Sequence, residues 1–304
     1  MDLRAIDHFL AITEHGSLRA AAESRGVSQP ALSKAVKRLE DEFRAPLLDR
    51  KARGVVPTPF GEALIRHARH LRANIRDAEE EIAALRLGIG GQVRIGAGPS
   101  WLGDLLPAAI ARFRTVRPDI RIQVRSGMDE TLKAQLRNGA LDLVLAAISD
   151  LHPLEADLVG RSLAEDHYRI VAHADHPLRR RMKVAFEELL EYPWILPAAG
   201  TYMVTAFHVI FRSRRLPPPE PAIETDAQHL KLQLMRSGDY LSVHAEGQLA
   251  SLGVDDILPL DIPGASWRRV AGVIQRRGVT PSSAIEELVR TLEVVADCAP
   301  QPTR

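Results

Sequence analysis

The chain has 304 residues, 45% of them apolar, and a net charge of +1, enough for two or three globular domains but too near neutral for charge alone to give the whole molecule a nucleic-acid affinity. No apolar run approaches the roughly 18 to 20 residues that span a bilayer, and no basic segment followed by an apolar one opens the chain, so the expectation is a soluble, cytoplasmic protein without a membrane partner. The one cysteine, Cys298, excludes an intrachain disulfide framework and a cysteine-based zinc finger.

Leu3, Ile6, Leu10 and Thr13, flanked by Phe9 and Ile12, predict a first helix ending near Gly16. Ser17 opens a short alanine-rich helix (Ala20, Ala21, Ala22) that breaks at Gly26, and Ser28 opens a longer one. Serine suits both starts because its side-chain oxygen accepts a first-turn N–H that has no partner in the helix, and Pro30 in a first turn loses no intrahelical bond. Small alanines let two helices approach closely, as in a helix-turn-helix.

The longer helix is polarised. Leu32, Val36, Leu39 and Phe43 form one apolar stripe, while Gln29, Ser33, Lys34, Lys37 and Arg38 lie away from it. One face docks, and the other offers the amide, hydroxyl and ammonium groups that read base edges and hold phosphates in a major groove. A lone basic amphipathic helix is more often plain solvated surface; its neighbours favour the DNA reading.

Apolar runs at Pro46–Leu48 and Val55–Pro57 flank a basic turn, which predicts a small hairpin, the wing of a winged helix-turn-helix, with Arg50, Lys51 and Arg53 against phosphates or the minor groove. Between Ser28 and Thr58 seven bases outnumber four acids, so the positive charge is local to this region. Thr58 and Pro59 then start a long helix on which Leu64, Ala68, Leu71, Ile75, Ala78, Ile82 and Leu85 repeat at alternating spacings of four and three. That heptad seam favours pairing with a second copy over one helix packed on its own domain.

Gly88, Gly90 and Gly91 mark a boundary, after which strands and helices alternate. Strands are expected at Val93–Ala97, Ile120–Arg125 and Leu141–Ala147, with helices at Leu105–Phe113 and Leu132–Leu136 between them: a right-handed βαβαβ unit with a parallel sheet. A second cycle begins at Tyr168, with a strand to His173, helices at Phe186–Leu190 and Val204–Phe211, and strands at Ala222–Glu224 and Tyr240–His244. A last strand, Arg268–Gln275, and a closing helix, Ser283–Ala296, follow. Two such lobes form a cleft, with anion-favouring helix N-termini at the strand ends.

Over nearly its whole length the chain resembles a LysR-type transcriptional regulator. The residues that carry this are Phe9–Ile12, Gly16–Ala22, Val27–Ser33, Leu39–Glu40, Pro46–Arg50, Thr58–Gly61, Leu105–Pro107 and Asn138–Leu143, the amino-terminal set being the more specific. The resemblance implies an α+β multidomain protein: a winged helix-turn-helix over 1–58, a linker and dimerisation helix forming a coiled coil over 59–88, and a two-lobed α/β effector domain like periplasmic binding proteins over 91–304. Lobe 1 would be about 91–161 and 267–304, and lobe 2 about 162–266. It further implies a homotetramer, a dimer of dimers bound at an interrupted palindrome in double-stranded DNA and switched by a small molecule, with RNA polymerase a candidate partner and no cofactor.

Carried over by position, Arg19, Ser28, Gln29, Pro30, Ser33 and Lys34 match DNA-facing sites and Arg53 the wing. Ser100, Trp101, Asp129 and Thr201 would line the effector cleft. Two departures stand out: Arg44 replaces a glycine after the recognition helix, so that helix end is expected to differ from the usual left-handed cap, and Leu48 replaces a common phenylalanine. Asp129 would repel an anion, which points to an effector with a polar or cationic group there, or to a neutral one such as a sugar or lactone. Trp101 is equally suited to stacking on a ligand ring and to a core.

Among the rivals, Gly98–Gly103 approaches a nucleophile elbow but misses its spacing by one residue, and a helix-capping Ser100 accounts for it better. Phosphate-loop and His-Glu-x-x-His motifs are absent, and His173 with His176 fits a turn after a strand better than a metal site. The reading is therefore a regulator and not an enzyme. The alternatives are a constitutive architectural DNA-binding protein and, further off, an enzyme fused to a DNA-binding domain.

Overall fold

The computed structural model describes residues 2–51, 54–87, 90–149, 151, 153–246, 249 and 253–298. The chain divides into two compact units, Met1–Leu87 with Arg137–Ala140, and Gly88–Leu136 with Leu141–Arg304.

In the first unit α1 (Leu3–His15), α2 (Leu18–Arg25) and α3 (Gln29–Phe43) pack around Phe9, Leu10, Ile12, Leu32 and Leu39, all at most 1% exposed. The caps sit where the sequence puts them. Ser17 Oγ accepts from Ala20 N, Ser28 Oγ accepts from Ala31 N, and Gly16 and Gly26 end their helices in the left-handed region. The hairpin of β1 (Leu48–Lys51) and β2 (Gly54–Pro57) follows. Glu40 fixes its entry, since one carboxylate oxygen accepts from both Leu47 N at 2.9 Å and Leu48 N at 3.3 Å.

Arg44 departs from expectation. It takes the left-handed conformation itself, at φ 51°, and its N–H donates to Glu40 O. The helix end thus keeps the geometry that glycine would give, at the steric cost an L-residue bears there. Phe43, expected in the docked stripe, is 44% exposed, because α3 turns into its cap at that point. With Ile6, Leu47, Phe60, Leu64 and Leu71 it lines an apolar groove. Thr58 Oγ1 accepts from Gly61 N at the head of α4 (Pro59–Leu87), along which Ile82 is 59% exposed.

The second unit is built on one mixed sheet. Its strands are β3 (Gln92–Ala97), β4 (Arg121–Ser126), β5 (Leu143–Ile148), β6 (Leu158–His173), β7 (Trp194–Leu196), β8 (Pro221–Glu224), β9 (Leu241–Ala245), β10 (Ile257–Pro259) and β11 (Ser266–Arg276). The order is β4-β3-β5-β11-β6-β9-β7-β8, with β10 also on β6. The β4, β3 and β5 strands are parallel, as are β9, β7 and β8, whereas β6 and β11 run antiparallel through the middle.

Four hydrophobic clusters lie along this sheet, and two of them are the larger cores. One joins β3 and β5 to α5 (Leu105–Val116) and α9 (Ser283–Cys298), with Val93, Ile95, Phe113 and Leu288 at its centre. The other packs Trp194, Phe207 and Phe211 between β7 and α7 (Tyr202–Ser213). Rings 4.8 to 6.2 Å apart make it an aromatic core, each ring burial being worth about 2 to 3 kcal/mol.

The two smaller clusters belong to α6 (Asp129–Arg137), whose Leu132 and Leu136 pack with Val144 and Ile274, and to α8 (Gln228–Ser237), whose Leu232 and Met235 pack with Val171 and Ile195. The sequence pattern anticipates neither α8 nor the first ten residues of β6, and the helix expected at Phe186–Leu190 is the 3-10 helix Phe186–Glu191. A buried pair ties β3 to the start of β5: Asp142 accepts from Arg94 N at 2.7 Å, Nε at 3.2 Å and Nη2 at 2.8 Å.

Candidate functional site

The cleft lies within the second unit and takes residues from both cores. Gly98, Ser100, Trp101 and Asp129 form one wall, while Thr201, Tyr202, Thr225 and Lys231 form the other, with Tyr168 and Arg269 at the floor. All four residues expected there, Ser100, Trp101, Asp129 and Thr201, line it.

One of them plays a different part from that expected, and Trp101 takes the core role of its two. Ser100 lies inside the short turn Pro99–Trp101 and caps no helix; its hydroxyl instead accepts from Arg269 Nη1 at 2.5 Å. That engagement suits a ligand-binding wall and gives the hydroxyl no base. Trp101 is 4% exposed and belongs to the first core, so only its edge reaches the cleft. Thr201 caps α7, its Oγ1 accepting from Val204 N at 3.4 Å.

Asp129 is the first residue of α6, deep between the walls yet partly open to the cleft. Burial raises its pKa, and Lys133, the Ala147 N–H and Arg269 offset that only in part.

Arg269 organises the floor. It pairs directly across the strands with Asp166, donates to Tyr168 Oη at 3.4 Å, and its guanidinium carbon lies 5.1 Å from the centre of the Tyr168 ring. Burial pulls its pKa down, but Tyr168 and Asp166 outweigh that and the net shift is upward. Burial also raises the pKa values of Tyr168 and Tyr202, keeping both phenols protonated donors. Arg269, Tyr168 and Lys231 escape a reading of the sequence: the first two look like ordinary strand residues, and the third like surface charge on a segment without a recognised helix.

The other candidate surface is on α3. Gln29, Pro30 and Lys34 are exposed and Ser33 half-buried, opposite buried Leu32, Val36 and Leu39. Arg19 on α2 is exposed and paired with Glu23 at 3.0 Å. Arg53 lies outside the described residues. Among the described residues no group of His, Cys, Asp and Glu could hold a metal ion, and no helix is long and apolar enough to cross a membrane. His176 Nδ1 accepts from Leu178 N, making a turn cap of the histidine that spacing alone could offer to a metal.

Residues 3–62 match the bacterial regulatory helix-turn-helix protein, lysR family, and residues 87–296 match the LysR substrate binding domain. The chain belongs to the LysR family. It is a DNA-binding transcriptional regulator with an effector-binding domain. Its LysR relatives include the regulator GalR of Pseudomonas putida, 30% identical over 96% of this chain and 73% of that protein, and the SDS degradation transcriptional activation protein of a Pseudomonas species, 30% identical over 94% of both. Among solved LysR structures, a full-length OxyR variant from Pseudomonas aeruginosa superposes with a TM-score of 0.61 at 22% identity, covering 100% of this chain and 99% of that one.

Proposed function

We propose that this regulator is switched by a small molecule held between the two lobes of its second unit, with Ser100, Asp129 and Thr201 as polar contacts and Trp101 as an apolar edge. The observation that carries the reading is the convergence, in one cleft, of side chains from both cores: Ser100 and Asp129 from one side, Thr201 from the other, all near buried Arg269. A molecule bridging them stabilises one lobe arrangement over another by its differential contacts. Asp129 favours an effector that presents a hydrogen-bond donor or a cationic group on that side.

For DNA, the reading assigns α3 to the major groove. Gln29 and Ser33 would meet base edges, and Arg19, Ser28, Pro30, Lys34 and wing Arg53 the backbone. Domain limits of 1–58, 59–88 and 91–304 follow, with lobes of about 91–161 plus 267–304 and 162–266. The helix α4 pairs with a second copy, supported by the groove of Phe43, Phe60, Leu64 and Leu71; dimers then assemble as a tetramer on an interrupted palindrome in the cytoplasm, within reach of RNA polymerase. The protein performs no catalysis in this reading.

The deciding experiment is footprinting and bend-angle measurement on an operator selected from genomic DNA by binding to the protein, with and without candidate effectors. A ligand-dependent change in either supports the switch. An identical footprint and bend with ligands that demonstrably bind the protein supports an architectural role instead.

A further inference from the structure

The described residues include five buried cationic side chains, Arg94, Lys133, Lys231, Arg269 and Arg276. Arg94 is paired with Asp142, Lys133 with Glu130 and Arg269 with Asp166, while Arg276 donates to the Leu136 and Leu141 carbonyls. Lys231 is the exception. It stands in the first half of α8, is 6% exposed, and lines the cleft, yet among the described residues no neighbouring charge or hydrogen bond offsets its burial. A buried amine without a partner is disfavoured unless something supplies the counter-charge.

The cleft does not supply it. The charged groups that act on Asp129 are Lys133, Arg269 and Glu130, so Asp129 does not neutralise Lys231. Arg269 is committed to Asp166, and Tyr168 and Tyr202 stay protonated. Asp226, in the turn before α8, lines the same cleft but is exposed and exerts no effect on the amine.

We infer that Lys231 is the anion-binding pole of the cleft, and that the effector is a small molecule with an oxyanion for Lys231 at one end and a hydrogen-bond donor for Asp129 at the other. This rests on the cleft being the effector site. A ligand of that kind satisfies Lys231 and meets Asp129 with a donor at once, which neither a simple dianion nor an uncharged polyol does. An ammonium beside carboxylate, sulfate or phosphate oxygens makes a strong charge-assisted bond in a site partly closed to water.

The test uses the full-length protein with 13C at the ε-carbon of its six lysines, Lys231 being assigned by loss of its signal in Lys231→Arg. Without ligand the Lys231 signal is expected to titrate at about 7, where burial pushes the amine. Addition of 3-hydroxybenzoate, inorganic sulfate or inorganic phosphate is expected to raise that midpoint by at least one pH unit, equivalent to tenfold tighter binding by the charged amine, while chloride at matched ionic strength and neutral 3-hydroxybenzyl alcohol leave it in place. Which of the three anions moves it separates a carboxylate from a tetrahedral oxyanion. Lys231→Met should weaken 3-hydroxybenzoate at least tenfold and leave 3-hydroxybenzyl alcohol unaffected.

A midpoint that none of the anions moves, in protein whose Trp101 fluorescence still responds to 3-hydroxybenzyl alcohol, overturns the role of Lys231 and spares the cleft reading. Silence towards every probe overturns both.

Discussion

Replacing Lys231 with methionine should make the protein more stable. The chain holds an amine at 6% exposure with its pKa pushed down by burial to about 7, against an ordinary value of 10.5. Each pH unit in that interval withholds about 1.4 kcal/mol from the folded state, because the unfolded chain binds the proton that the native one refuses. At pH 7 the penalty is thus on the order of 4 kcal/mol, shrinking as pH rises and gone above the unfolded pKa, where both states carry a neutral amine. Methionine matches the length of the stem without the charge. Guanidinium denaturation followed by tryptophan fluorescence reports on the right unit, since Trp101, Trp194 and Trp267 all belong to it. The gain of Lys231→Met over wild type should be about 3 to 4 kcal/mol at pH 7 and near zero at pH 10.5. A variant no more stable than wild type at pH 7, or a gain independent of pH, would refute the description of Lys231 as an uncompensated buried amine.

Gln29→Ala should lower discrimination between operator and random DNA by about 1 to 3 kcal/mol, whereas Arg53→Ala should weaken binding to both alike and reduce the salt slope by about one, as fluorescence anisotropy across a salt series would reveal; equal behaviour of the two removes the division into base and phosphate contacts. Arg44→Gly should stabilise the end of α3 by about 1 kcal/mol, because glycine takes the left-handed conformation without a Cβ clash, and amide exchange at Glu40 to Ala45 should slow accordingly. Asp142→Asn leaves Arg94 buried without its counter-charge and should cost about 3 kcal/mol in the same fluorescence denaturation.

The first unit is largely legible because its signals are local. Serine caps, glycine stops and a 3.6-residue apolar period are each written within a few neighbouring positions, and Ser17, Ser28 and Gly26 act as their chemistry dictates. Arg44 misleads for the opposite reason: the backbone conformation at a helix end is set by how the chain must continue, here into a hairpin held by Glu40, and the residue adapts to it. In the second unit the longer apolar strands are found, while the three-residue β7 and β10 are too short to show a pattern and the first part of β6, which includes Arg161, Glu165 and Asp166, looks like loop. The α8 segment hides its apolar face behind a single charge, since Leu232 and Met235 face the core and Lys231 beside them looks solvated. The cleft repeats this pattern. Ser100, Asp129 and Thr201 follow recognisable strand ends and helix starts, but Arg269 and Tyr168 become cleft residues only through the pairing of two strands about a hundred residues apart in sequence.

That pairing has a mechanical meaning. The long strands β6 and β11 pass from one core into the other, and the rung between Asp166 and Arg269 falls between the residues they give to each. A pair of antiparallel strands twists and bends readily about its own axis but resists stretching, so any rocking of one half of the unit against the other is a torsion of this ribbon. Arg269 is both a rung of that ribbon and the partner of Ser100. Under the function proposed above, a molecule that draws the guanidinium aside would load that ribbon directly, with no lever between the bound ligand and the strands it twists.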